Sequence, residues 1–218
     1  MPKVARLEEL EGGGNRRRVV FDDGSSVELA PEVALSAGLL PGRSVSRASV
    51  ERARRDDGLR AAEKDALRLL STKDRSQAEL RKELARRGHG EEAIAATVER
   101  CRRWGYLDDG RLAGQIVTES LGRRKLGPAR VRRTLRERGI DEATAASALA
   151  NSRLDEPSLV EQALAALKPK LRSYGRLEPQ VARRRMVAFL QRRGFDFATV
   201  RKALAQLGHE LDAEAGEQ

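Results

Sequence analysis

The chain has 218 residues, 35% charged and only 3% aromatic, so its core must be built mostly from Leu, Val, Ile and Ala. A formal charge of +10 favours an anionic partner: nucleic acid, an acidic protein surface or an anionic membrane. No apolar run approaches the ~20 residues of a membrane span, no signal peptide or lipidation motif is visible, and the single Cys101 excludes an internal disulfide and suits a reducing cytoplasm.

Residues 1–45 read as a small β-rich unit. Arg18 to Phe21 and the alternation Ser25, Val27, Leu29 flank Asp22-Asp23-Gly24, a hairpin turn signal. Lys3 to Leu10 adds a strand closed off by Gly12-Gly13-Gly14, and Pro31 to Ala37 fits a short helix ended by Pro41-Gly42. Fewer than ~45 residues bury too little surface to stand alone, so this unit is expected to dock on the helical part of the chain.

From Ser46 onward the pattern is helical. Ser46 to Leu70 forms one long helix or two, with Asp57-Gly58 as the weak point. Then Leu-x-x-Arg-Gly recurs three times, ending at Gly88, Gly139 and Gly194, 51 and 55 residues apart. A period near 50 marks repeated helical units, expected here at 46–107, 108–152 and 153–208, followed by a disordered tail at 209–218. Twelve residues before the first two glycines lie two helix-opening devices: the capping box Ser76-Gln77-Ala78-Glu79, and Gly127 followed by Pro128.

Each repeated glycine reads as the left-handed residue closing a helix, and the preceding Arg87, Arg138 or Arg193 as a cation at the helix C-terminal dipole. Asp141 and Asp196 cap the next helices, with Ile140 and Phe195 as hydrophobic staples. Three matching sets then face inward: Ile94, Val98, Cys101; Ala145, Leu149, Ser152; and Val200, Leu204, Leu207. Cys101 is thus a core thiol. Repeat three is stretched by a loop from Lys168 to Pro179. Its middle helix carries Val187, Ala188 and Phe189 where repeat two has Arg132, Arg133 and Thr134, so it should be covered on more than one side.

Residues 62–207 resemble the RecX family, regulatory proteins that bind the RecA recombinase. Carrying the resemblance, in order, are Ala66 to Ser71, Arg75-Ser76-x-x-Glu79-Leu80, Gly105 to Asp109 with Ala113, Gly127-x-x-Arg130-Val131-Arg132-x-x-Leu135, and Leu190-x-Arg192-Arg193-Gly194-Phe195. The N-terminal unit resembles an extension found in part of the family, and Leu112 stands where the family often has phenylalanine. The resemblance implies a mainly α fold of tandem three-helix repeats in an extended curved array. It also implies binding to RecA filaments on DNA, with restraint of strand exchange and of ATP-dependent and coprotease functions.

Within the repeats, Arg123 through Arg138 hold eight basic side chains against one acid, Glu137. On the middle helix of repeat two, Arg132 and Arg136 share a flank and Arg133 lies opposite the core. Without acidic partners at i±4 they are candidate phosphate or acidic-groove contacts, together with Arg123, Arg124, Lys125 and Arg130; the alternative is a solvated helix face. Arg183, Arg184 and Arg185 form the next candidate. Arg16-Arg17-Arg18 reads as edge-strand protection, Asp108-Asp109 as capping residues, and Trp104 with Tyr106 as packing at a repeat junction. His89 and His209 lack partners at metal-ligand spacing, and no P-loop, HExxH or GxSxG occurs, so no metal, cofactor or enzymatic activity is expected.

Two functions stay open: a monomeric cytoplasmic RecA-filament regulator touching single- or double-stranded DNA non-specifically, and an autonomous basic DNA-binding protein whose three-helix units offer helix-turn-helix-like geometry.

Overall fold

The computed structural model describes residues 1–10, 16–152 and 155–216, with side chains described as far as Gly208. The chain divides into two compact units, Met1–Asp74 with Leu80–Leu107, and Arg75–Glu79 with Asp108–Gln218.

In the first unit, β1 (Val4–Glu9), β2 (Arg17–Phe21) and β3 (Ser26–Leu29) form an antiparallel sheet in that order. The period-2 pattern puts Val19, Phe21, Val27 and Leu29 into the core while Arg18 and Glu28 pair on the other face. Gly24, at φ 79°, supplies the left-handed residue of the β2–β3 turn. The glycine run 12–14 lies outside the described residues. α1 (Pro31–Ser36) starts on its proline, and α2 runs unbroken from Arg47 to Leu70.

Asp57-Gly58 does not break α2, because the Asp57 side chain is tied down rather than turned back on its own backbone. Only 6% exposed, it accepts hydrogen bonds from the Ala30 amide at 2.8 Å and from the Arg16 guanidinium at 2.8 Å. Val50 and Ala53 of the same helix pack on the sheet core, which is how the small β unit obtains the cover it needs. The arginine run therefore does not protect an edge. β2 is the central strand, and Arg17 and Arg18 bridge Glu9 and Glu28 while Arg16 reaches Asp57. Replacing Asp57 by Ala strands a partly buried guanidinium and an amide, and should cost about 2–3 kcal/mol in urea denaturation, as hydrogen bonds to charged groups do. An unchanged midpoint for Asp57→Ala would sink this account.

α3 (Gln77–Arg86) and α4 (Glu91–Arg103) come next. Leu80, Leu84, Ile94, Val98 and Cys101 close with Ala66 and Leu69 of α2 into one core. Cys101 is fully buried, and burial raises its thiol pKa, so it is an inert core thiol. Trp104 and Tyr106 depart from the sequence expectation. They are 51% and 54% exposed, packed edge-to-face on each other at 6.3 Å, because the α4 C-terminal turn, with Gly105 at φ 77°, sends Leu107 inward in their place.

The second unit holds α5 (Asp109–Gly122), α6 (Pro128–Glu137) and α7 (Glu142–Asn151), then α8 (Glu156–Leu167), α9 (Leu171–Tyr174), α10 (Pro179–Arg192) and α11 (Phe197–Gly216). α5, α6 and α7 enclose Leu112, Val117, Val131, Leu135, Ile140 and Ala145. α8, α10 and α11 enclose Ala163, Leu167, Leu190, Phe195, Val200 and Ala203. Leu112 thus fills its core position as leucine.

Three expectations for repeat three change. The stretch from Lys168 is not a loop: a 3-10 turn over Lys168–Lys170 leads into α9, whose Leu171 and Tyr174 anchor it on the core. Ala203 takes the deep position expected of Leu204, which is half-buried. On α10 only Ala182 and Leu190 are fully buried; Val187 and Phe189 are partly buried against the core as expected, while Ala188 stays half-exposed. Toward the C-terminus, the α11 backbone continues to Gly216 through the segment expected to be disordered, a stretch free of proline and rich in Ala and Glu; residues 217–218 and the His209 side chain lie outside the described part.

Candidate functional site

The repeated Leu-x-x-Arg-Gly turn does more than close a helix. Gly88, Gly139 and Gly194 all adopt positive φ (86°, 72° and 90°), as the helix-stop reading requires. Two of the three also receive the start of the preceding repeat's middle helix. Ser76 Oγ caps α3 by accepting from the Glu79 amide at 3.0 Å and donates to the Arg138 carbonyl at 2.5 Å. Arg138 then grips Glu79 in a bidentate pair at 2.9 and 2.7 Å. At the next junction the Gly127 and Ala129 amides donate to the carbonyls of Arg193 and Gly194 at 2.8 and 3.2 Å. Amides that a helix start leaves unpaired, here at the head of α6, are thus satisfied by carbonyls that the end of α10 leaves unpaired.

Contact this close leaves no room for a side chain. A Cβ on Gly139 would collide with the Ala78 Cβ, and one on Gly194 with the Arg130 amide, 2.5 Å from the Arg130 Cβ. Nothing approaches the same point on Gly88. The arginines of the motif serve these turns in different ways: Arg138 pairs with Glu79, Arg193 donates to the Arg124 carbonyl at 3.0 Å and lies over the Phe189 ring, and Arg87 pairs with Asp65 at 3.1 Å. The capping box was legible in sequence; the second use of Glu79, and the partner of each arginine, was not.

Caps complete the frame. Asp141 and Asp196 accept from the Thr144 and Thr199 amides at 2.9 and 2.7 Å, and hydrogen bonding to these threonines holds both carboxyls below their usual range. Asp108 caps its own helix through the Arg111 amide, whereas Asp109 accepts from Gln77, the first residue of α3, at 3.0 Å. Burial raises the Asp109 pKa. No group of His, Cys, Asp and Glu fit to hold a metal occurs among the described residues. His89 instead bonds Asp65 at 2.9 Å.

That contact, with the Arg87 charge beside it, lowers the Asp65 pKa. A carboxyl depressed on folding contributes stability above its unfolded pKa and loses it as pH falls through the lower folded value. Asp65→Asn should therefore flatten the stability profile on the acid side of pH ~4 and lower stability at neutral pH, read by melting at stepped pH. Equal acid sensitivity in wild type and variant would refute the coupling.

The candidate binding arginines fall into two groups. Arg132, Arg133 and Arg136 are not free of acids, as the sequence reading expected. Glu137, one turn on, pairs with Arg133 at 2.8 Å, and Glu142 at the head of α7 takes Arg132 at 3.0 Å and Arg136 at 3.5 Å. Glu142 was missed because its proximity is set by the α6–α7 packing. Arg123, Arg124, Lys125 and Arg130 contrast with these: none has an acidic partner among the described residues. Lys125 adopts a left-handed φ of 51° in the tight α5–α6 turn, where Leu126 is buried. Arg183, Arg184 and Arg185 are exposed on α10, also without acidic partners among the described residues.

Fold and surface together define a class: three-helix units that repeat along the chain, each with a helix closed by a recurring glycine turn, displaying cations without acidic partners among the described residues. Three family models match in succession, the RecX first three-helix domain at residues 62–101, the second at 108–149 and the third at 158–204. The chain belongs to the RecX family. The regulatory protein RecX of Chromohalobacter salexigens is 38% identical over 141 residues, covering 65% of this chain and 89% of that protein. The regulatory protein RecX of Bacillus velezensis is 24% identical over 99% of this chain and 81% of its own length. Among solved structures, a crystal structure of regulatory protein RecX superposes with a TM-score of 0.70 at 20% identity, covering 94% of this chain and all of that one, and RecX from Lactobacillus salivarius with 0.64 at 19%, covering 70% and 98%. No helix among the described residues is long and apolar enough to cross a membrane.

Proposed function

We propose that this protein binds RecA nucleoprotein filaments and inhibits the recombinase, ATPase and coprotease activities of RecA, touching DNA as a secondary contact. Its relatives carry the name regulatory protein RecX, a family whose resemblance implies RecA as partner, and the surface of the second unit suits a partner built around a phosphate chain. The observation that carries the reading is the run Arg123, Arg124, Lys125 and Arg130, four cations without acidic partners among the described residues, gathered at the turn between α5 and α6. Arg132, Arg133 and Arg136 extend this surface, since exposed ion pairs of ~0–1 kcal/mol exchange readily for a stronger anionic partner. Arg183, Arg184 and Arg185 belong to the same proposal.

Co-sedimentation with RecA filaments, set against naked duplex DNA at matched salt, tests it. Retention on filaments with inhibition of the DNA-dependent ATPase is the expected result. Inhibition well below one protein per RecA monomer indicates end capping, and near-stoichiometric inhibition indicates groove binding. Tight binding to naked DNA without inhibition at any ratio would instead establish an autonomous DNA-binding protein.

A further inference from the structure

With the repeats aligned on their glycines, one surface of repeat three departs from the other two. In repeat one, Arg81 of the middle helix pairs with Glu91, the first residue of the next helix, at 3.5 Å. In repeat two the same two positions are Arg132 and Glu142, paired at 3.0 Å. In repeat three they are Val187 and Phe197. A surface ion pair has become two apolar side chains, and the second of them, Phe197, is 67% exposed. The next outer position changes in the same sense, from Lys82 and Arg133 to Ala188.

Val187 and Ala188 lie with Arg183 and Arg184 along one open face of α10. Neither arginine has an acidic partner among the described residues, whereas Arg81 and Arg132 each do. An exposed phenylalanine at the repeat position whose counterparts pair with the middle helix, a half-buried aliphatic pair on that helix and guanidinium groups without acidic partners among the described residues have the composition of an interface, where an apolar anchor is ringed by charge that selects the partner.

We infer that this open face of α10, with Phe197, is a docking site for an acidic, amphipathic protein segment, one that sets apolar side chains on Val187, Ala188 and Phe197 and its carboxylates on Arg183 and Arg184. The site takes protein rather than nucleic acid: a nucleic acid strand would use the arginines and could stack a base on Phe197, but would leave the aliphatic Val187 and Ala188 unexplained. It rests on the differences among repeats and stands whether or not the partner is RecA.

Fluorescence anisotropy of the full chain tests this with three fluorescein-labelled probes: a 14-residue peptide with Leu at i, i+3 and i+7 among Glu and Ala, the same peptide with each Leu changed to Ser, and a 14-nucleotide single strand. The Leu peptide should bind at least tenfold more tightly than the Ser peptide. Val187→Lys and, separately, Phe197→Ser should each weaken the Leu peptide at least fivefold while leaving the oligonucleotide within twofold. Phe197 is 67% exposed, whereas Val187 is partly buried against the core of repeat three, so melting curves accompany both variants, and Arg183→Glu with Arg184→Glu, at two exposed positions, gives an independent variant that should lose the peptide without touching the apolar residues. Equal binding of Leu and Ser peptides, peptide binding indifferent to all these substitutions, or loss of the oligonucleotide in step with the peptide in Val187→Lys or Phe197→Ser would overturn the assignment. So would self-association of the free chain that Phe197→Ser abolishes, since a second copy would then be the occupant.

Discussion

Gly194→Ala should destabilise the second unit by about 3–5 kcal/mol, while Gly88→Ala should cost only about 1–2 kcal/mol, although both glycines close the same motif. The smaller figure is the left-handed penalty alone, for φ is 86° at Gly88 and 90° at Gly194. The difference arises because a Cβ on Gly194 would run into the backbone of Arg130, where nothing yields without moving α6, while Gly88 faces open space. Moving α6 would also break the hydrogen bonds from Gly127 and Ala129 to the α10 carbonyls. Gly139→Ala should fall between the two, because its obstacle is the Ala78 side chain, at the start of a single helix. Urea denaturation of the three variants gives the order directly. Equal losses would mean that the glycines serve only as helix stops and that the junction contacts carry no energy.

The second large effect concerns binding. Changing Arg123, Arg124, Lys125 and Arg130 together to Ala should lower the slope of log K against log salt by roughly three to four units, about one for each phosphate that then goes unneutralised. The triple change of Arg132, Arg133 and Arg136 should lower it less, because those cations already hold Glu137 and Glu142 and must leave them to meet a phosphate. Inhibition of RecA should follow the same order. Arg123 and Arg124 are exposed whereas Lys125 and Arg130 are half-buried, so the double variant of Arg123 and Arg124 alone, which should melt as wild type, separates a weakened complex from unfolding. Leu135→Ala is the converse control: it opens a cavity in the α5–α7 core, costs roughly 2–5 kcal/mol and acts on folding before binding. A quadruple variant that melts normally, keeps its salt slope and inhibits at full strength would remove this surface from the proposal.

Local chemistry made much of this protein legible in advance. The turn at Gly24, the capping box at Ser76, the caps at Asp141 and Asp196, the left-handed glycines and the buried Cys101 depend on neighbours within a few residues, so spacing alone predicts them. The family resemblance rests on the same ordered boundaries. Near neighbours along the chain thus set the number and kind of helical units and where most of them begin and end.

Packing settled which of those boundaries meet. A carboxylate's partner can lie 59 residues away, as Glu79 does from Arg138, and a helix interior that looks weak, like Asp57-Gly58, holds when its carboxylate ties down a distant arginine. Packing also settled which cations remain available, since Glu142 reaches Arg132 and Arg136 only after α7 folds back against α6. Hydrogen bonding within a turn is a property of adjacent residues. Charge pairing and steric exclusion depend on distance in space, and only the packed chain sets those distances.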